Sequence, residues 1–127
     1  MSSYHQIFIQ TSNSEDQLVA DIVAAAGCRM RKLETMDAPI AYTGRTRRVA
    51  VEVKLNHDLE DDLGTNFSQY PIVITLRSLD SDKSHEEGVA KEIFNNLVSG
   101  GQYAMILTFN LYNVLAEQPP TEKRQST

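Results

Sequence analysis

A chain of 127 residues is the size of one domain, and 41% apolar with 23% charged residues places it among ordinary globular sequences. Those fractions and a single cysteine exclude wholesale disorder, a collagen-like repeat and a disulfide scaffold. A formal net charge of −5 disfavours nonspecific binding to nucleic acid, and no apolar run approaches the roughly 20 residues that a membrane-spanning helix needs.

Tyr4 to Gln10 reads as a strand centred on Ile7, Phe8 and Ile9. Ser12 followed by Glu15 has the spacing of a capping box. The helix it predicts places Leu18, Val19, Ile22, Val23 and Ala26 on one face and stops at Gly27. Cys28 to Leu33 reads as a second strand. Ile40 to Thr43 and Arg47 to Leu55 then read as a hairpin, with Gly44-Arg45-Thr46 as its loop. Its second arm alternates, Val49, Val51, Val53 and Leu55 on one side and Ala50, Glu52 and Lys54 on the other, as a half-exposed antiparallel strand does.

Asn56 to Gln69 reads as a polar connection with room for one helical turn, and Pro71 opens a strand from Ile72 to Leu76. Ser84 and Glu87 form a second capping box before Val89, Ala90, Ile93, Phe94, Leu97 and Val98, and Gly100-Gly101 ends that helix. Tyr103 to Leu115 reads as one long central strand with apolar residues on both faces, Phe109 among them. The segment 118–127 reads as a disordered tail after a single domain over 1–117.

The two strand–capping box–helix–glycine segments echo each other. They predict an α+β domain, an antiparallel or mixed sheet with two helices on one face, as a ferredoxin-like β-α-β(ββ)β-α-β sandwich. Its other face, with Ile106 and Tyr112, is then solvated or an interface. Phe8 and Phe109 have apolar neighbours and are expected in the core rather than on a base-stacking platform.

Charge is unevenly spread. Residues 29–48 hold six basic side chains against two acidic ones, and residues 52–62 hold five acidic against one basic. The first block offers Arg45, Arg47 and Arg48 as an anion-binding set, since guanidinium groups match carboxylates and phosphates in geometry. The second offers Glu52, Asp58, Glu60, Asp61 and Asp62 as a surface for a basic protein partner.

Motifs for chemistry are sparse. There is no phosphate loop and no nucleophile elbow. An EF-hand reading from Asp58 fails, with Leu63 and Gln69 where glycine and glutamate are needed. His5, His57 and His85 are too scattered, with one cysteine, for a zinc site. His57 beside Asp58 suits solvation better than acid–base work. Cys28 is expected as a structural thiol of a reducing cytosol, since a helix C-terminus opposes thiolate formation. No cofactor, metal or membrane partner is expected, and the N-terminus lacks the charged region of a signal peptide.

Three functions fit this profile. The first is a small, acidic, non-catalytic cytoplasmic module that masks a basic toxin or enzyme, as an immunity-type inhibitor does. The second is a homodimeric α+β domain that binds or acts on a small anion between its helix-free sheet face and the Arg45–Arg48 hairpin. The third is a structural subunit of a larger assembly.

Overall fold

The structure is a computed structural model that describes residues 4–33, 41–56, 67–100, 103–111 and 113–119. Its elements in chain order are β1 (His5–Gln10), α1 (Glu15–Ala26), β2 (Met30–Lys32), β3 (Tyr42–Thr46), β4 (Val49–Lys54), a 3-10 turn (Phe67–Gln69), β5 (Ile72–Ser78), α2 (Lys83–Gly100), β6 (Ala104–Phe109) and β7 (Asn113–Gln118). The strands form one seven-stranded sheet in the order β2-β3-β4-β5-β1-β6-β7. Every neighbouring pair is antiparallel.

The α+β class, the antiparallel sheet and the two helices are as the sequence predicts; the sheet differs from the expected ferredoxin-like sandwich in its strand count of seven and in its strand order. Both helices return the chain to a strand that runs the same way, α1 from β1 to β2 and α2 from β5 to β6, because an even number of antiparallel pairings separates the two strands in each case. Here α1 delivers the chain to the sheet edge at β2. The meander β2-β3-β4-β5 then walks it back until β5 docks antiparallel on β1, Ile7 opposite Ile74.

Both helices lie on one face. The main core joins Leu18, Ile22, Ile93 and Leu97 of the helices to Ile7, Ile9, Val49, Val51, Val53, Ile74, Leu76, Met105 and Leu107 of the sheet. These sheet residues follow the period of two that sends alternate side chains to one face. A smaller cluster sits on the opposite face, where Phe67 of the 3-10 turn, Tyr70 and Leu111 close over Phe8, Val73 and Ile106. Ile106 is therefore buried and not exposed for self-association; Tyr112 lies outside the described residues.

Local boundaries shift for identifiable reasons. Ser14, not Ser12, caps α1 by accepting from the Gln17 amide at 3.1 Å, and Gly27 ends it with a left-handed φ of 70°. Asp82, not Ser84, caps α2, its side chain accepting from the His85 amide at 3.0 Å. The long final strand breaks in two at Asn110 and Leu111, whose φ values are 59° and 64°. Asparagine tolerates that conformation, and the packing of Leu111 on the second cluster offsets its own strain. The tail expected from Gln118 lies, beyond Pro119, outside the described residues.

The hairpin loop also moves. Gly44, Arg45 and Thr46 belong to β3, and the turn is Arg47-Arg48, with φ of 47° and 64°. A two-residue hairpin needs left-handed central residues to match strand twist. Two arginines satisfy it because their carbonyls are held. His85 Nε2 donates to Arg47 O at 2.6 Å, and the Leu79 amide donates to Arg48 O at 2.9 Å.

Two phenols tie α1 to the sheet layer, Tyr42 donating to Glu15 and Tyr103 donating to Asp21. Both are nearly inaccessible to solvent. The bond to Glu15 and then burial push Tyr42 up to about 12. Burial and then the bond to Asp21 do the same to Tyr103. Folded values above the ordinary value of about 10 add stability that is fully present below that pH and lost as pH rises through 12. Two of the five tyrosines should therefore ionise late in an alkaline absorbance titration, together with loss of the helical circular dichroism signal. Ionisation of all five near pH 10, with the helices intact, would contradict this.

Candidate functional site: an arginine-lined groove

The face of the sheet opposite the helices carries a groove of about 440 Å3 over its β2–β5 half. Strand period and register build it. Thr43 and Arg45 on β3, Ala50 and Glu52 on β4, and Arg77 on β5 point away from the core, because Tyr42, Val49, Val51, Val53 and Leu76 point into it. Arg45, Ala50 and Arg77 form one cross-strand row, and Thr43, Glu52 and Thr75 the next. Arg31, paired with Thr43, brings a third guanidinium from β2.

Ala50 makes the concavity. Its methyl group is the floor between two long side chains, which stand about 10 Å apart at their roots, two strand spacings of roughly 4.8 Å. Leu79 closes one end. Arg77 donates to Glu52 at 2.8 Å and is thereby held across the floor. Arg31 and Arg45 have no carboxylate partner among the described residues, and both are exposed. Three guanidinium groups against one carboxylate leave the groove cationic in a chain that is acidic overall.

The structure separates the three arginines singled out in the sequence. Arg45 lines the groove. Arg47 reaches the helix layer and pairs with Glu92. Arg48 grips Asp80 through two bonds of 2.6 and 2.7 Å, and its guanidinium holds the Asp80 carboxyl below the usual range. Of the acidic set, Glu52 lies in the groove facing Arg77, while Asp58, Glu60, Asp61 and Asp62 lie outside the described residues. Cys28 packs near Met30, and burial pushes its thiol up against the opposing Arg45 amide and Arg47 charge, the reverse of what a nucleophile needs.

Arg31 and Arg77 complete the groove and were not singled out in the sequence. Arg77 continues the alternation of Val73 and Thr75, a signal available to a strand reading that ran past Leu76. Comparison of the chain with protein-family models, curated proteins and solved structures finds no match. The groove must be interpreted from its own chemistry. Among the described residues, no three His, Cys, Asp or Glu side chains gather at metal-binding spacing. No helix among them is long and apolar enough to cross a membrane.

Proposed function

We propose that the protein is a binding module that holds a small anion, a phosphorylated or polycarboxylated molecule, in the arginine-lined groove. The observation that carries this reading is the convergence of Arg31, Arg45 and Arg77 on the Ala50 floor, two of them without a carboxylate partner among the described residues. Guanidinium forks donate in pairs to oxyanions, and such charge-assisted bonds are roughly twice as strong as neutral ones. The groove volume falls within the roughly 300–1,000 Å3 of small-molecule sites. Its lining favours binding over catalysis, because Glu52, its one titratable acid, is engaged with Arg77.

Of the acidic set in the alternative reading, a surface for a basic partner, Glu52 faces Arg77; the other four residues lie outside the described ones.

Thermal stability in a panel of phosphate, pyrophosphate, citrate and nucleoside diphosphates tests the reading. At least one should raise the melting temperature by several degrees when present at about 100 times its Kd. Arg45→Gln should weaken that anion by about tenfold or more, the value of a lost charge-assisted bond. A flat response across the panel at about 10 mM, or equal affinity of the variant, would remove the proposal.

A further inference from the structure

A second groove lies on the other side of the molecule, between the two helices, and it has the opposite chemistry. It encloses about 460 Å3 and is lined by polar Asn13, Gln17, Asp21, Asn96 and Tyr103 over a small apolar base. Ala24 and Leu97 form that base, and Gly100, the last residue of α2, forms one rim.

The hydrogen-bond inventory decides what it can hold. Each of its donor groups is bound once inside the protein, and each side-chain amide keeps a second N–H. The Tyr103 hydroxyl donates to Asp21 Oδ2, and Gln17 Nε2 donates to Asp21 Oδ1 at 2.9 Å. Asn13 Nδ2 reaches the Tyr103 hydroxyl at 3.4 Å, and Asn96 Nδ2 donates to the Ala25 carbonyl at 2.9 Å. The one charged group of the lining, Asp21, is an acceptor only. Each carboxylate oxygen has about two acceptor positions, and each amide oxygen is an acceptor as well. Each oxygen of Asp21 thus keeps a free position, and Asp21 has no cationic partner among the described residues. The C-terminus of α2 adds partial negative charge, and its last turn carries no basic side chain.

We infer that the inter-helix groove is a binding site for an alkylammonium group, seated against Asp21 with its carbon chain on Ala24 and Leu97. An ammonium brings three donors and a positive charge, which complement the spare acceptor positions and the unpaired charge of Asp21. This site is independent of the anion groove. Such a group comes either from a free amine or from a lysine side chain of a peptide.

The test follows amide resonances of the 15N-labelled protein, side-chain amides of Asn13, Gln17 and Asn96 included, during addition of pentylammonium, cadaverine or Nα-acetyl-lysine methylamide. Saturable shifts should centre on the groove. 1-Pentanol, which has the same chain without the charge, should bind about tenfold more weakly or not at all. Asp21→Asn should lower ammonium affinity by about tenfold or more, while Arg45→Gln leaves it unchanged. Tighter binding of the diamine or of the lysine derivative identifies the source. Shifts centred elsewhere, no saturation with any of the three amines, or equal binding of pentanol and pentylammonium would overturn the site. The pentanol comparison uses the wild type alone, so it decides the matter even if the variant folds poorly.

Discussion

Replacing Glu86 with alanine should destabilise the fold by about 3–5 kcal/mol, the range for removing one member of a buried charged pair. Glu86 is in the first turn of α2 and is fully buried, as is His5 on β1. Its Oε1 takes the His5 ring nitrogen Nδ1 at 2.6 Å and the His5 backbone amide at 3.1 Å. Its Oε2 takes the Ser78 amide at 2.7 Å and Lys83 Nζ at 3.3 Å. One carboxylate therefore joins the start of α2 to two adjacent strands, and the Phe109 ring lies tilted against the His5 ring with centroids 4.6 Å apart. Alanine would orphan two backbone amides and His5 Nδ1 in a site that water does not reach, leaving the imidazole only the 3.4 Å contact of its Nε2 with Glu87. Against a total of about 5–15 kcal/mol for a domain, that is a large fraction. Urea unfolding should show a lower midpoint with an unchanged slope.

The same residue gives an acid limit. Burial pushes the Glu86 carboxyl up, but the bonds from His5, Ser78 and Lys83 outweigh it and hold the group below its ordinary range. A lowered folded value means stability that is present above the unfolded value of about 4.3 and lost as pH falls through the folded value. Glu86→Gln should flatten that acid dependence. An alanine variant as stable as the wild type, or an unaltered acid limb in Glu86→Gln, would show that the carboxylate does not hold these strands.

Local signals carried the elements, and long-range pairings carried the sites. The alternation of Val49, Val51 and Val53 revealed β4 and its buried face, and the spacing of Val89, Ala90, Ile93, Phe94 and Leu97 revealed α2, because both patterns are periodic within one element. The His5–Glu86 pair joins residues 81 apart in the chain, so nothing beside either residue announces it. The Arg47-Arg48 turn was hidden because it lacks the glycine or asparagine that marks left-handed turns; its support comes from His85 and Leu79, far along the chain. Gly44 drew the loop to itself instead. The arginine groove needs the registers of β2, β3, β4 and β5 together, so Arg45 alone could be singled out in advance.

Gly44 sits in a strand for a reason that leads back to the groove, and Gly44→Ala should detach β2. A methyl group at that position would lie 2.5 Å from the Arg29 carbonyl oxygen and 2.6 Å from Met30 Sδ. The methionine end can swing away, but the carbonyl belongs to the backbone, so a strand must move. β3 is held to β4 by five residue pairs, from Tyr42–Val53 to Thr46–Val49, and β2 is held to β3 by three. The shorter edge strand therefore yields. The expected cost is about 1–3 kcal/mol, as for overpacking elsewhere, with loss of hydrogen-exchange protection confined to the β2–β3 ladder. Because Arg31 rides on β2, anion affinity should fall as far as it does in Arg31→Ala, which leaves the sheet intact. Protected β2 amides in Gly44→Ala would show that the close approach is relieved within β3. Full anion affinity with β2 detached would remove Arg31 from the groove and leave Arg45 and Arg77 as its cationic walls.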